Sequence, residues 1–494
     1  MPHHTEVPTA KRAIQIACAV IYCVLAGGIV FGFAALKPVL ISEGVYRSEC
    51  TPQEIKDQVP VCAEQEIRLN VIFTCAAVLT NVGALFVGRV LDTYGPRASG
   101  VIGSFLLAIG SLLMAFAFQI TIIDAYLVGY LCLALGGPFV YISSFQLSNS
   151  FPHMSGTVLA MITGAFDASS AVFFVYRLIY EGTNGSFYPT KFFLCYSIVP
   201  VFISIVQLFV LPKDSYKTAS ASETTGLLHE NPQSVTFGST TNFSDSASAH
   251  HRRQSTMNRR HSVVLERKIH SSGVWGIMHN MPIKKQVMSA WFFLIMFFTT
   301  LQMLRINYFV ASIRTQYTFL FDSFSKAASL NGYFDIALPV GGLIAVPFIG
   351  IILDNFSTFT AISALVSTAT VIGVLGILRS PIAAYTGVTM FVAYRPFYYT
   401  TMSDTTAKVF GFETFGTIYG SIFSFAGLFN FVQTGLDRLT LNVFNHDPRP
   451  VNCALLGLVI LFGGASMIHI KTQSIKLRRS ILEREAGSNP ARPL

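Results

Sequence analysis

The sequence predicts an all-α membrane protein in which twelve transmembrane helices form two six-helix halves. Three observations carry that prediction. The chain is 52% hydrophobic and 12% charged, with a mean hydropathy of +0.54, whereas a soluble domain holds about twice that charged share. The apolar residues come in long unbroken runs, near the ~20 residues a helix needs to cross hydrocarbon. Short polar motifs also recur at one offset in the two parts of the chain. Because the runs are continuous rather than alternating, they read as helices and not as barrel strands.

The twelve runs fall at 13–36, 69–87, 98–118, 122–144, 156–178, 192–211, 288–310, 328–352, 358–378, 382–402, 414–436 and 452–471. The first follows Lys11 and Arg12 directly and serves as its own insertion signal, with no cleavable leader before it. The six-span unit 1–211 is separated from a second unit, 287–472, by a polar stretch at 212–286. That stretch is rich in Ser, Thr, Asn and His, holds ten Lys/Arg and has no apolar period, so it reads as a disordered linker. A basic tail, 473–494, closes the chain. Most of the 34 basic residues lie in segments on one side of the predicted bilayer. The bias puts both termini, the linker and the tail in the cytosol. It also explains the net charge of +9 by anionic lipid rather than nucleic acid.

Eight cysteines are present. Six sit in apolar runs and read as small hydrophobes. Cys50 and Cys62 share the first outer loop, where an oxidising compartment would let them pair; two free thiols are the alternative. No cysteine or histidine spacing suits a metal, and no phosphate loop or nucleophile elbow occurs. The expectation is a protein without enzymatic activity, cofactor or metal.

The repeat has two parts. Gly88-Arg-Val-Leu-Asp92 ends span two and Gly350-Ile-Ile-Leu-Asp354 ends span eight, both G-x-x-L-D. Gly156-Thr157 opens span five and Gly416-Thr417 opens span eleven. Parallel repeats of this kind resemble the major facilitator superfamily. GRVLDTYGPR (88–97) resembles that superfamily's signature loop, G-x-x-x-D-x-x-G-x-R. Gly88 permits close helix approach, Asp92 can meet the positive end of a neighbouring helix, and Gly95-Pro96 turns the chain. Arg97 can pair with Asp92 or cap a helix C-terminus. The resemblance implies a gating role for Gly88, Asp92, Gly95, Arg97, Gly350 and Asp354, and a monomer that works by alternating access.

The same resemblance has spans one, four, seven and ten line a central cavity. Charges inside spans are expensive and therefore informative. Arg395 lies near the middle of span ten, before Pro396, which can open the helix locally. Asp167 lies near the centre of span five. Arg305, on span seven, either binds substrate or snorkels outward. An arginine fork suits a carboxylate and a buried aspartate suits an ammonium or a proton, so together they describe a site for a zwitterion; structural ion pairs are the alternative for both. Gly28 and Gly32 on span one either pack helices or bare backbone to a ligand, packing being the commoner use. The Phe397-Tyr398-Tyr399 cluster reads as an interfacial belt rather than cavity lining.

FQLSNSFPHMSGTVLAMITGAFDASSAVFFVYRLIYE (145–181), above all Ser169 to Glu181, resembles the region around span five of solute carrier family 43. VFGFETFGTIYG (409–420) is similar to that family's uncharacterised fungal branch. The family comprises sodium-independent facilitators of large neutral amino acids, so the resemblance implies a secondary transporter of small organic solutes, neutral amino acids first among them. Span four, YLCLALGGPFVYISS (130–144), lacks the R-x-x-x-G pattern of many proton-coupled members, which favours facilitation, while a buried Asp167 leaves proton coupling open. The same fold carrying a sugar, a monocarboxylate or a drug cation stays open on the sequence, as does a non-transporting nutrient sensor.

Within the linker, ETTGLL (223–228) presents Glu223, Leu227 and Leu228 as an acidic-dileucine signal for sorting adaptors, which points to a vacuolar or lysosomal membrane; the plasma membrane is the alternative. RRQS and RRHS make Ser255 and Ser262 candidate kinase sites, where phosphate would offset a basic cluster beside anionic lipid.

Overall fold

A computed structural model describes residues 7–57, 62–213, 216 and 272–488. It is all-helical. Nine of the described helices are long and apolar enough to cross a membrane, and the bent pair Phe324–Leu338 and Val340–Asn355 makes a tenth span. The remaining two have physical explanations. Helix Ala63–Ala115 has 53 residues, about 80 Å at 1.5 Å per residue, far longer than one crossing. It folds back at Gly95 (φ 82°, ψ 173°), followed by Pro96, and so supplies spans two and three. A left-handed φ followed by an extended ψ suits a residue without Cβ, and proline cannot continue the ladder behind it. Helix Pro381–Phe410 supplies span ten. Its polar and charged residues, Arg395, Thr400, Thr401, Asp404 and Lys408 among them, depress its hydropathy, yet most are buried against protein.

Helix starts in the second half carry serine caps. Ser289, Ser323 and Ser357 accept from the amides of Phe292, Lys326 and Thr360, satisfying donors that a helix start leaves open. Asp124 does the same for Leu127 at the head of span four. Spans one and five are both interrupted at mid-length. Helix Thr9–Tyr22 passes through a π-turn and a 3₁₀ turn around Gly28 before Phe33–Ser42. Helices Ser155–Ala168 and Ala171–Gly182 meet at Ser169-Ser170. The two breaks face each other, and the Gly28 amide donates to Ser169 Oγ at 2.8 Å.

Cys50 and Cys62 are joined, and their loop marks one face of the bundle. Tyr46 ties it to span four through Asp124 at 2.7 Å. The opposite face carries residues 88–97, 350–357 and the described end of the linker. The expected linker reaches 286, but 272–286 is built into the fold. Val274, Trp275 and Met278 are buried there, and the amides of Gly276 and Met278 donate to the carbonyls of Lys408 and Val409, both at 3.0 Å. A stretch held by backbone bonds to a helix end needs no apolar period, which is why its sequence reads as loop. Glu223, Leu227, Leu228, Ser255 and Ser262 lie outside the described residues.

Candidate gate and substrate site

The repeated motifs meet, and they meet across the two halves. Asp92, at the linker face of span two, accepts from the amides of Gly416 (2.9 Å) and Thr417 (2.6 Å) at the start of helix Phe415–Phe429. Asp354, at the same face of span eight, accepts from the amides of Gly156 (2.7 Å) and Thr157 (3.0 Å) and from Thr157 Oγ1 (2.5 Å), at the start of Ser155–Ala168. Each carboxylate thus sits on unpaired N–H groups and the positive end of a helix from the opposite half. Hydrogen bonds to a charged group stabilise by about 1.5–3 kcal/mol each. Small residues make the approach possible. A Cβ on Gly88 would fall on the Gly416 carbonyl, and one on Gly350 would meet Thr157 Oγ1 at 2.5 Å.

Arg97 takes the second of its two expected roles. It donates to the Leu211 carbonyl at the end of span six, at 2.7 Å, rather than to Asp92. A cavity of about 250 Å³ opens beside Asp92, between Tyr94, Gln146, Phe412 and Glu413. It belongs to the gate and lies at the linker face, not at the midline.

Above the latches the halves are sealed by aromatic rings. Phe145 of span four packs against Phe415 (5.7 Å) and Tyr419 (5.5 Å) of span eleven. Tyr141 meets Phe145 edge to face at 4.7 Å, and Phe423 packs behind Tyr419 at 4.3 Å. Contacts between the halves run along Ser155–Ala168 with span eight and along Phe415–Phe429 with span two. Toward the disulfide face, Ala171–Gly182 and Val432–Arg438 make few contacts with the opposite half. The bundle is closed at the linker face and parted toward the other.

At the midline, Arg395 Nη2 stands 3.6 Å from Asp167 Oδ1, joining span ten to span five. Both side chains are largely buried, 17% and 5% exposed. The pair is an ion pair without a hydrogen bond. Neither Asp167 Oδ1 nor Arg395 Nε has a hydrogen-bond partner among the described residues. The Tyr399 hydroxyl stands beside the guanidinium, one helical turn below on the same face. Two opposite charges are therefore held together with bonding capacity left over.

The other expected substrate contacts go elsewhere. Arg305 donates to the Ala369 carbonyl of span nine at 2.7 Å, so it crosslinks the second half rather than facing Asp167. Gly28 and Gly32 press on span five: a Cβ on Gly28 would meet Phe166 at 3.0 Å, and one on Gly32 the Ser170 carbonyl at 2.5 Å. Their backbone is covered by protein, which is the packing role. Pro396 leaves helix Pro381–Phe410 unbroken. The belt assigned to residues 397–399 is also corrected. Span ten runs to Phe410 rather than 402, so these rings lie at mid-depth. Tyr398 is fully buried, donating to the Thr299 carbonyl at 2.7 Å.

Sequence reasoning missed Phe145 and Tyr419, and it put Tyr399 in the belt rather than beside Arg395. The spacing of Tyr399 from Arg395, and of Tyr419 from Phe415, was the available signal, since residues four apart share a helix face. It also missed the buried pair Asp404–Lys408, 2.6 Å apart, whose Lys408 Nζ donates to the Leu353 carbonyl beside the second latch.

Comparison with known proteins agrees with this architecture. The Major Facilitator Superfamily profile matches residues 66–434. Protein FMP42 of Saccharomyces cerevisiae is 42% identical over 97% of this chain and 98% of its own. The mouse large neutral amino acids transporter small subunit 3 is 32% identical over 35% of this chain and 33% of its own. The solved structure of the proton:xylose symporter XylE bound to 6-bromo-6-deoxy-D-glucose superposes with a TM-score of 0.56 at 12% identity, covering 92% of this chain and 95% of that one.

Proposed function

The chain belongs to the Major Facilitator Superfamily, and from that membership we propose that this secondary transporter is a facilitator of large neutral amino acids. The observation that carries the reading is the Asp167–Arg395 pair bridging the halves at the midline. An amino acid brings one ammonium and one carboxylate. Entering from the open face, its carboxylate takes the arginine fork and its ammonium takes the aspartate. Each charge of the site then keeps an opposite partner, so the protein need not leave either one buried alone. Tyr399 orients the guanidinium from below. The name of the mouse relative supports the substrate class.

Transport follows by rocking. Substrate between spans five and ten replaces the direct bridge, and the two halves turn about the midline. Release of Asp92 and Asp354 from their helix ends opens the linker face. The freed carboxylates and amides there meet water, which limits the net cost of opening. The basic bias of the loops supports a cytosolic linker face with both termini inside. The disulfide supports the assignment of the opposite face to an oxidising compartment.

The test is uptake of labelled amino acids into proteoliposomes, with sugars, monocarboxylates and nucleobases as competitors. Large neutral amino acids are expected to enter at a rate independent of a pH gradient. Arg395→Gln should lower kcat/KM for them by about 10–100-fold, the worth of one charged hydrogen bond, and Arg395→Lys should recover part of it. If no amino acid is taken up or competes while another solute does, the assignment fails.

A further inference from the structure

The Asp92 latch has a support that the Asp354 latch lacks, and it comes from the linker. Gln286 is almost fully buried at 1% exposure. Its Nε2 donates to the Met278 carbonyl at 2.9 Å and toward the Phe410 carbonyl at 3.4 Å. Its Oε1 accepts from Thr414 Oγ1 at 2.7 Å. The amides of Gly276 and Met278 cover the last carbonyls of span ten, groups that a helix end leaves open. Gly411 adopts φ 82° directly under the His279 ring, 3.1 Å from where its Cβ would stand. The turn 411–414 is thereby held between residues 274–286 and span ten. Thr414 is the residue from which helix Phe415–Phe429 starts, and two residues later come the amides that bind Asp92.

We propose that residues 274–286 form a strap that sets the strength of the Asp92 latch, with Gln286 as its positioning residue. Gln286 touches neither Asp92 nor the midline pair. It fixes the start of span eleven, and so the direction in which the Gly416 and Thr417 amides point. The consequence is regulatory: anything that pulls on the linker at 286 loosens the Asp92 latch far more than the Asp354 latch, which reaches the strap only through Lys408. The inference rests on the gating reading above.

The experiment separates the two. Gln146, 5% exposed and lining the gate cavity, is replaced by cysteine in full-length protein whose six free cysteines have been changed to alanine or serine. Labelling by a maleimide from the linker face then reports gate opening without any substrate. Asp92→Asn alone must raise the labelling rate; if it does not, the latch reading and the strap fall together. Gln286→Leu is expected to raise the rate about five- to tenfold, the effect of losing one or two neutral hydrogen bonds. Combined with Asp354→Asn it should keep that factor. Combined with Asp92→Asn it should add less than about twofold, because the latch it positions has already been weakened. Thr414→Val, which removes only the bond to Oε1, should follow the same pattern at smaller size and serves if Gln286→Leu folds poorly. A factor for Gln286→Leu and Thr414→Val that is equal in the Asp92→Asn and Asp354→Asn backgrounds would mean general loosening and would overturn the strap while leaving the latches standing.

Discussion

The two latches are copies of one device built with different supports. In each, an aspartate at the end of one helix accepts from the first amides of a helix in the other half. At Asp354 the Thr157 hydroxyl adds a third bond, and Lys408 holds the adjoining Leu353 carbonyl. At Asp92 the Thr417 hydroxyl stands nearby, but the well-formed bonds are the two from the amides. What the first latch has instead is external bracing. Gly95 folds spans two and three back on each other, Arg97 pins them to span six, and residues 274–286 brace the helix that donates. The second aspartate is followed by Asn355 and a serine-capped helix, with neither a positive-φ glycine nor an arginine. A repeat conserves the electrostatics of a helix N-terminus, which needs only one carboxylate and a close approach. Each half supplies its own means of holding the partners in position.

The largest difference between the copies should appear in sterics. Gly88→Ala places a methyl on the Gly416 carbonyl, and a main-chain atom cannot yield without lifting the start of span eleven off Asp92. Gly350→Ala meets the Thr157 hydroxyl at 2.5 Å and its Cα at 2.8 Å, where a hydroxyl rotation takes up part of the strain. Overpacking costs about 1–3 kcal/mol. The first substitution belongs at the upper end of that range and the second at the lower. Uptake by Gly88→Ala in proteoliposomes should fall by about 100-fold, and by Gly350→Ala about tenfold or less. Equal losses would mean that both glycines serve only general packing.

Charge comes next. Asp92→Asn and Asp354→Asn each keep one acceptor and lose the charged hydrogen bonds, about 1.5–3 kcal/mol apiece. Each should speed labelling of Gln146→Cys from the linker face by about tenfold or more. The latches are separate, and opening requires both to release, so the double variant should approach the product of the singles. A double no faster than the faster single would show that one latch alone holds the gate.

Much of this was legible in sequence, for identifiable reasons. A carboxylate at one helix end and a Gly-Thr at the start of another are local motifs, and repetition made both visible. Asp167 and Arg395 stood out because charge inside an apolar run demands an explanation. That they belong together could be suggested from their opposite charge, but the contact itself could not be fixed, since nothing local records a contact between spans five and ten. The Phe397–Tyr399 cluster was misassigned because Ser403 to Lys408 look like loop. Those polar groups are turned inward, where Asp404 pairs with Lys408, and so span ten is longer than its hydropathy suggests. The strap was illegible for the opposite reason. It is held by amides on helix-end carbonyls and by one glutamine, and such bonds leave no period in the residues that make them.

The smallest effect isolates the hydroxyl that distinguishes the copies. Thr157→Val keeps the shape of the side chain and both amide bonds to Asp354, and it removes only the donor at 2.5 Å. Thr417→Val makes the same change at Asp92, where the hydroxyl has no bond of comparable geometry. A hydrogen bond to a charged acceptor lies at the low end of about 1.5–3 kcal/mol when the acceptor keeps other partners. Labelling of Gln146→Cys should therefore rise about fivefold for Thr157→Val and less than about twofold for Thr417→Val. The reverse order would mean that the Thr417 hydroxyl, rather than the strap, makes up the difference between the two latches. The Gln286 substitutions would then have to be read as acting on that hydroxyl through the position of span eleven.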